Sequence, residues 1–293
     1  MISAALRGAE PFAPRRVRTV SDVSAIGDLA ADCLVMELET WPKPGLVSHV
    51  DNGSHDDMDA GTFRRSAAAI KPYLQSLADA GARGCGMGQL RIIGLEAERA
   101  MFEATAGVNT HRGAIFGLGL LCAAAGAKAG GLVDPASTLG DGVARLWGAG
   151  IINGPLLLHS HGNAARRRFQ AGGARFEAAN GFPSIYRIGL PALRRAMSAA
   201  PEDREAARVE ACLALIASVE DTNLLHRGGL DGLRFAHRAA RQFIVAGGIR
   251  AAGWRAHARS IHDSFVARRL SPGGSADLLA MSLFVDAHEA AES

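Results

Sequence analysis

Apolar side chains recur every three to four residues through nearly the whole chain, and this spacing constrains the fold more than any other feature. Segments in which apolar and polar residues alternate, as in half-buried β-strands, are almost absent. The pattern therefore predicts an all-α protein. Ten helices are predicted: the first follows Ser21 and ends before Pro42, and the others span residues 62–80, 89–104, 111–129, 135–149, 190–199, 202–219, 230–246, 254–269 and 276–290.

The composition is that of a globular protein and gives no reason to divide the chain into more than one domain. Of the 293 residues, 48% are hydrophobic and 21% are charged, which excludes intrinsic disorder. No Pro-, Ser- or Gly-rich spacer separates parts of different composition. We expect residues 21–293 to form a single compact helical domain with its functional site built from inter-helix loops. Residues 1–20 carry Arg and Pro without an apolar core, which predicts a flexible leader rather than a secretion signal.

Charge and cysteine usage narrow the class of protein further. The net charge of +3 is too small for a dedicated nucleic-acid binder but is compatible with small anionic ligands. The apolar stretch 114–127 is interrupted by glycines and is shorter than the roughly 20 residues of a membrane helix. The four cysteines form no C-x-x-C pair, which predicts reduced thiols and a cytoplasmic protein. The many Ala and Gly residues on the helices suit close packing, within one chain or in a homodimer.

Five segments between the predicted helices concentrate Gly, Asn, His, Asp and Arg, and functional residues are expected there. In the first, helical spacing directs Glu37 towards the core. A buried carboxylate is costly unless it is paired, binds a metal or faces a polar cavity, so Glu37 is either a site residue or part of a structural ion pair. Lys43 lies in a turn made rigid by Pro42 and Pro44, where it either binds a phosphate or is solvated.

The same segment places four potential metal ligands within five residues: His55, Asp56, Asp57 and Asp59. Hard cations such as Mg²⁺ prefer carboxylates of this kind. Acidic surface loops are also common, and capping of the next helix explains Asp59 equally well.

The second segment, residues 107–113, opens a glycine-rich apolar helix. The free amides of a helix start bind anions, and Arg112 would strengthen such a site. A tight helix–helix crossing would explain the glycines, but it would not explain Asn109, His111 and Arg112 together.

The third segment contains His159 and His161, a potential metal pair without a third ligand at fixed spacing, and Arg166–Arg168, interpreted as a solvated face.

The fourth, residues 221–229, is predicted to form the C-terminal end of the preceding helix, stopped by two glycines. An ordinary helix end would not require Asp, Asn, His and Arg in seven residues. The fifth, residues 271–277, resembles a flexible turn that cradles an anion.

Six blocks, in order, resemble the triphosphoribosyl-dephospho-CoA synthase family. They are PKPGLV at 42–47, GSHDDMD at 53–59, GVNTHRGAIF at 107–116, GAR-x-EA at 173–178 with GFP at 181–183, DTNLLHRGG at 221–229 and SPGGSADLLA at 271–280. The resemblance implies a helical, Mg²⁺-assisted enzyme that joins ATP to 3′-dephospho-CoA and releases adenine. Its product, 2′-(5″-triphosphoribosyl)-3′-dephospho-CoA, is the precursor of the prosthetic group on the acyl carrier subunits of citrate lyase and malonate decarboxylase.

Breaking the bond between ribose and adenine passes through an oxocarbenium-like centre, which requires an acid near the base and a carboxylate near the sugar. We expect Glu37 or Glu177 to face the ribose, and Asp57 and Asp221 to lie near Mg²⁺. The histidines expected to exchange protons are His55, His111 and His226. The residues expected to bind substrate are Lys43, Asn109, Arg112, Arg175, Asn223, Arg227, Ser271, Gly273 and Gly274; the four cations among them would hold the triphosphate.

Three other interpretations remain open from the sequence. A paralogue would apply the same ATP chemistry to another acceptor, and a metal-dependent nucleotide or N-glycoside hydrolase would use the surplus of carboxylates. A helical binding module would lack the polar loop clusters, so those loops argue against it. The enzyme interpretation requires the separated loops, with Lys43, Asn109, Glu177 and Asp221, to converge on one pocket.

Overall fold

The structure, a computed structural model, describes residues 23–155 and 172–290. Eleven α-helices and no β-strand occur in these residues, as the apolar spacing predicts. The helices are α1 Val23–Leu38, α2 Ala60–Ala82, α3 Met87–Ala104, α4 Arg112–Ala129, α5 Leu139–Asn153, α6 Gly173–Ala179, α7 Leu190–Ala199, α8 Arg204–Ile216, α9 Thr222–Val245, α10 Trp254–Ala267 and α11 Gly273–Ala290. The predicted leader at residues 1–20, His159, His161 and Arg166–Arg168 lie outside the described residues.

Helix α4 lies at the centre of the bundle, and α1, α2, α3, α5 and α11 pack around it. Its apolar residues surround the helix instead of forming one stripe, so it requires neighbours on most sides. By length and composition α4 would also suffice to cross a membrane. However, 72% of it is buried inside the fold, which is the environment of a core helix.

Glycines allow α2 and α4 to approach more closely than larger residues would permit. A Cβ atom on Gly126 would lie 1.8 Å from the carbonyl oxygen of Ala78, and one on Gly81 would lie 1.9 Å from that of Ala123. The backbones are therefore in direct contact, and any side chain at either position would force the helices apart. The expectation that small residues serve close packing within the chain is confirmed here.

The start of α5 differs from its prediction. The helix begins at Leu139 instead of residue 135, because Thr138 and Asp141 form a capping box at that point. Asp134 instead closes a turn, with its side chain accepting a hydrogen bond from the amide of Ala136 at 2.8 Å.

The polar run 221–229 also differs from its prediction. It begins a helix and does not end one: α8 stops at Ile216, and Asp221 is the N-cap of α9. Gly229, with φ 60° and ψ −159°, is non-helical and divides α9 into a short first segment and a longer second one. The consequence is that Asp221 lies at the positive end of a helix dipole, where a carboxylate is stabilised.

All four cysteines are free thiols, as predicted. Three of them are fully buried in α1, α4 and α8, and Cys85, between α2 and α3, is partly buried. The short helix α6 was not predicted, because its seven residues are too few to show a periodic pattern.

Candidate active site

A buried ion pair lies where α1 meets the following loop. Glu37, in the last turn of α1, is 5% exposed, and Lys43 is completely buried. Lys43 Nζ lies 2.5 Å from Glu37 Oε1. Burial raises the pKa of Glu37, and the Lys43 ammonium opposes that shift. The inward orientation predicted for Glu37 is confirmed, and the alternative of a solvated Lys43 is wrong because the loop folds back into the core.

Two contacts from the C-terminal part of the chain hold this loop in place. Nδ1 of His262, on α10, lies 2.6 Å from the carbonyl oxygen of Lys43. Gly45 has a φ of +66°, and a Cβ atom there would lie 2.0 Å from the carbonyl oxygen of Leu270. Glycine is therefore required at this position both by its backbone conformation and by the closeness of the neighbouring chain. Because the turn is pressed against residues 262–270, Lys43 is directed inwards.

Asp221 connects the starts of two helices. Its Oδ1 accepts hydrogen bonds from the amides of Asn223 and Leu224 at 2.9 and 3.4 Å, which caps α9. Its Oδ2 accepts bonds from the amide and the hydroxyl of Ser275, in the first turn of α11, at 2.8 and 3.0 Å. Burial raises the pKa of Asp221, and these hydrogen bonds oppose the shift.

Asp277, two residues beyond Ser275 on α11, brings a third carboxyl group to this region. A Cβ atom on Gly113 would lie 2.0 Å from its Oδ2, and the carboxyl group accepts a hydrogen bond from the amide of Ala114 at the start of α4. Burial raises the pKa of Asp277 well above its ordinary value, and the charges of Glu37 and Asp221 add to the shift. Asp277 was not among the candidate site residues from the sequence.

The N-terminal ends of α4, α9 and α11 therefore meet around these side chains. Helix starts carry partial positive charge and free amides, so their meeting creates a region that favours anions. At the start of α4, the anion-binding position expected from the sequence is occupied by the chain's own Asp277. The predicted binding of a substrate anion at this helix start stays a prediction.

His111 lies at the same end of α4, almost fully buried. Its Nδ1 is 2.6 Å from the hydroxyl of Ser66, on α2, and its ring meets the edge of Phe63 with centroids 4.9 Å apart. Burial, with a smaller contribution from the charge of Lys43, lowers the pKa of His111 to about 3. The imidazole is therefore neutral at physiological pH.

A rim of charged side chains borders the buried cluster: Arg227 lies near Asp56 and Asp57, and Arg269 pairs with Asp56 at 3.1 Å. Nε2 of His55 lies 2.9 Å from the Ser271 hydroxyl, and its Nδ1 lies 3.2 Å from the Arg227 guanidinium. Arg227 also donates to the backbone carbonyls of Ser54 and Arg269. Burial lowers the pKa of His55, and the charge of Arg227 acts in the same direction.

The rim continues directly into the cluster through the start of α11. A Cβ atom on Gly273 would lie 2.9 Å from Asn223 Nδ2, and one on Gly274 would lie 3.2 Å from Asp221 Oδ2. The structure thus brings together these predicted site residues: Glu37, Lys43, His55, His111, Asp221, Asn223, Arg227, Ser271, Gly273 and Gly274.

Comparison with known proteins identifies the family. A model of the family described as ATP:dephospho-CoA triphosphoribosyl transferase (CitG) matches residues 23–293. The chain belongs to this family. It is therefore a transferase, and the resemblance seen in the six sequence blocks is confirmed.

Relatives of this transferase cover almost its whole length. A probable 2-(5″-triphosphoribosyl)-3′-dephosphocoenzyme-A synthase of Stutzerimonas stutzeri strain A1501 is 40% identical over 279 residues, 91% of this chain and 92% of that protein. Proteins of the same name in Pseudomonas syringae pv. tomato and Vibrio cholerae serotype O1 are 37% and 38% identical, over 94% and 92% of this chain and 96% and 89% of their own. No solved structure matches the chain.

Two residues predicted to bind substrate lie at the opening of α4 in this transferase. Arg112 Nε is 2.8 Å from Glu98 Oε2, on α3, so its charge is already paired. Asn109 is exposed, and its side-chain oxygen accepts a hydrogen bond from the amide of Arg112 at 3.3 Å. Both residues stabilise the entry into α4, next to His111.

Arg175 and Glu177 lie on α6 and make their contacts with neighbouring segments. Arg175 donates to backbone carbonyls at the end of α5, including that of Gly154 at 2.8 Å. Glu177 accepts bonds from the amide and hydroxyl of Ser184 at 2.6 and 3.1 Å, and burial raises its pKa. His226 is exposed on α9. The contacts of Glu177 do not join it to the buried cluster, and the predicted roles of all three residues stay predictions.

The predicted metal ligands do not form a protein-only Mg²⁺ site. Within residues 23–155 and 172–290, no group of three or more His, Cys, Asp or Glu side chains is arranged to hold a metal ion. Both carboxylate oxygens of Asp221 already accept hydrogen bonds. The side chain of Asp57 is 64% exposed, 3.6 Å from His55 Nδ1. The donor set therefore fits a metal that arrives with its own ligands better than one that the chain binds alone.

Proposed function

We propose that this transferase moves the triphosphoribosyl group of ATP to the 2′-hydroxyl of 3′-dephospho-CoA and releases adenine. Family membership and the names of its relatives support the reaction. The structural observation that carries the proposal is the meeting of the buried Glu37–Lys43 pair and Asp221 with three helix starts, beside a charged rim that contains Arg227. This arrangement combines an anion-binding edge with carboxylates, and the reaction requires both.

The triphosphate is assigned to the edge formed by Arg227 and residues 271–274. ATP carries about four negative charges, which are costly to desolvate unless they meet cations and amides. Arg227 is held there by the carbonyls of Ser54 and Arg269, so its guanidinium is oriented before substrate arrives. Gly273 and Gly274 form the start of α11, and the amides of a helix start favour an anion.

The ribose is assigned to the carboxylates beneath that edge. As the bond from C1′ to adenine N9 breaks, positive charge develops at C1′, and nearby carboxylates stabilise it. Lys43 lowers the cost of keeping Glu37 ionised in a buried position. Asp221 is kept in one orientation by four hydrogen bonds, so no reorientation is needed when the charge appears.

Mg²⁺ is proposed to enter on ATP, coordinated mainly by phosphate oxygens and water, as Mg²⁺ commonly is in nucleotide-binding enzymes. Its chemistry would be to neutralise and orient the triphosphate. Asp57, exposed at the rim, is the side chain we would expect to approach such an ion. Calorimetric titration should then show Mg²⁺ binding to the protein with ATP but not without it, and Asp57→Asn should weaken MgATP binding. Tight Mg²⁺ binding by the protein alone would contradict this proposal.

Chromatography of ATP incubations tests the reaction. We expect adenine to form only when both ATP and 3′-dephospho-CoA are present, together with a new species whose mass is the sum of both minus adenine. Adenine formed with another alcohol but not with dephospho-CoA would identify a paralogue with a different acceptor. Ribose triphosphate or inorganic phosphate formed without any acceptor would identify a hydrolase instead.

The product is proposed to supply the prosthetic group of an acyl carrier protein, of citrate lyase or of malonate decarboxylase. A gene position beside either operon would distinguish the two.

A cytoplasmic location is proposed because the four free thiols suit a reducing compartment. Homodimer formation stays a prediction, and light scattering of the purified protein would test it.

A further inference from the structure

The buried cluster contains more acidic than basic groups. Glu37, Asp221 and Asp277 contribute three carboxyl groups, whereas Lys43 is the buried cation paired with them. Of the other titratable groups at this end of α4, His111 is neutral at physiological pH and Arg112 is paired with Glu98. Three neighbouring carboxylates cannot all stay ionised away from water, so one of them retains a proton.

The contacts of each group indicate which carboxyl holds that proton. Glu37 has an ammonium group at 2.5 Å, and Asp221 has four hydrogen-bond donors. The carboxyl group of Asp277 accepts one hydrogen bond, from the amide of Ala114, and lies at the positive end of α4. The anionic form is therefore least stabilised at Asp277, and burial raises the pKa of Asp277 well above its ordinary value. Asp277 is of intermediate exposure, whereas Glu37 and Asp221 are 5% and 2% exposed.

We infer that Asp277 is the catalytic acid that protonates adenine as it leaves; this inference rests on the proposed function. The bond between C1′ of ATP and adenine N9 breaks with its electron pair moving to the purine, which takes the proton of Asp277. The bond between C1′ and the 2′-oxygen of dephospho-CoA forms, and the proton lost by that hydroxyl restores the acid form of Asp277. No proton is gained or lost overall, and the cluster returns to its starting charge.

The inference is tested with a substrate that does not need the acid. In N7-methyl-ATP the purine already carries a positive charge and leaves without protonation. Asp277→Asn keeps the size of the side chain and an acceptor for the Ala114 amide. With ATP, we expect it to lower kcat about 100-fold or more, the usual contribution of a general acid, with KM for ATP within threefold. With N7-methyl-ATP, we expect its kcat to fall less than tenfold below that of the unmodified enzyme.

Two further variants make the result decisive. Asp286→Asn is the matched control, because Asp286 lies on the same helix and pairs with Arg194 at the surface; it should keep full activity. Gly113→Ala places a methyl group against Oδ2 of Asp277 and displaces the carboxyl without removing it. It should show the same dependence on the leaving group, and it decides the question if Asp277→Asn does not fold.

The possible failures are distinguishable. If the unmodified enzyme releases no adenine from ATP with dephospho-CoA, the proposed function is wrong. If that enzyme is active and Asp277→Asn is equally slow with both nucleotides, or stays active with ATP, the role assigned to Asp277 is wrong.

Discussion

Lys43 and Glu37 form an ion pair that is almost entirely withdrawn from solvent, with side-chain exposures of 1% and 6% and an N–O distance of 2.5 Å. Removing one partner leaves the other charge buried without compensation. We expect Glu37→Gln or Lys43→Met to lower the free energy of unfolding by about 3 to 5 kcal/mol. The double variant should lose less than the sum of the two, which urea titration of all four proteins would measure.

The exposed ion pair formed by Arg64 and Glu39 is the control for this double-mutant cycle of Glu37 and Lys43. Its atoms lie 3.3 Å apart, but both side chains are nearly half exposed. Replacing either by Ala should change stability by about 1 kcal/mol or less. Additive losses at Glu37 and Lys43 would show that the buried pair is not coupled.

Asp221→Asn should reduce both stability and adenine release. The amide oxygen can still cap α9, but its NH₂ group cannot accept the two hydrogen bonds from Ser275. We expect a loss of about 1 to 3 kcal/mol and a fall in adenine release of orders of magnitude with the fold retained. Asp203→Asn, at the cap of α8, is the matched control and should keep normal turnover. Near-normal turnover in Asp221→Asn would remove Asp221 from the site.

His111 should make the fold sensitive to acid. Its pKa is about 3 when folded, below the ordinary 6.5, so the unfolded chain binds a proton first. The stabilisation is present above pH 6.5 and is lost as the pH falls towards 3, by up to about 1.4 kcal/mol per pH unit. Urea unfolding from pH 7.5 to 4.5 should show the advantage of the unmodified protein over His111→Gln shrinking by about 2 to 3 kcal/mol.

Comparing the two proteins at each pH cancels the buried carboxyl groups, whose raised pKa values act with the opposite sign. His257→Gln, at an exposed position of α10, is the control for replacing a histidine at the surface. A pH-independent difference at His111 would mean that the folded protein accepts a proton there.

Two Gly→Ala substitutions should have opposite effects on stability. Gly126→Ala sets a methyl group against the backbone of α2, so we expect a loss of about 1 to 3 kcal/mol. Gly94→Ala, inside α3 with open space around it, should gain about 0.5 to 1 kcal/mol through its better helix propensity. Thermal unfolding of the two variants would measure both; equal shifts would contradict the close crossing of α2 and α4.

The helical spacing of apolar residues was sufficient to predict most of the helices and the inward orientation of Glu37, because this spacing shows which face of a helix is buried. It was insufficient for Lys43. A lysine in a Pro-Gly turn is usually solvated, and here the turn is buried only because residues 262–270 fold over it.

Asp277 was missed for a similar reason. In the sequence it is an ordinary acidic residue in the first turns of a helix. Its depth depends on the missing side chain of Gly113, which lies on another helix far away in the chain. The role of Asp221 as a cap was also misjudged, because Gly228 and Gly229 indicate a helix end whereas the bonds from Asn223, Leu224 and Ser275 fix a helix start.

The carboxylate of Asp221 binds the first turn of α11, a segment that the ribosome makes after almost every other part of the fold. During synthesis, therefore, the earlier helices can assemble while this corner remains incomplete. The corner is complete only when all of α11, Gly273–Ala290, has been made and has packed against the earlier helices. A chain that ends before Gly273 would leave Oδ2 of Asp221 without its two donors from Ser275.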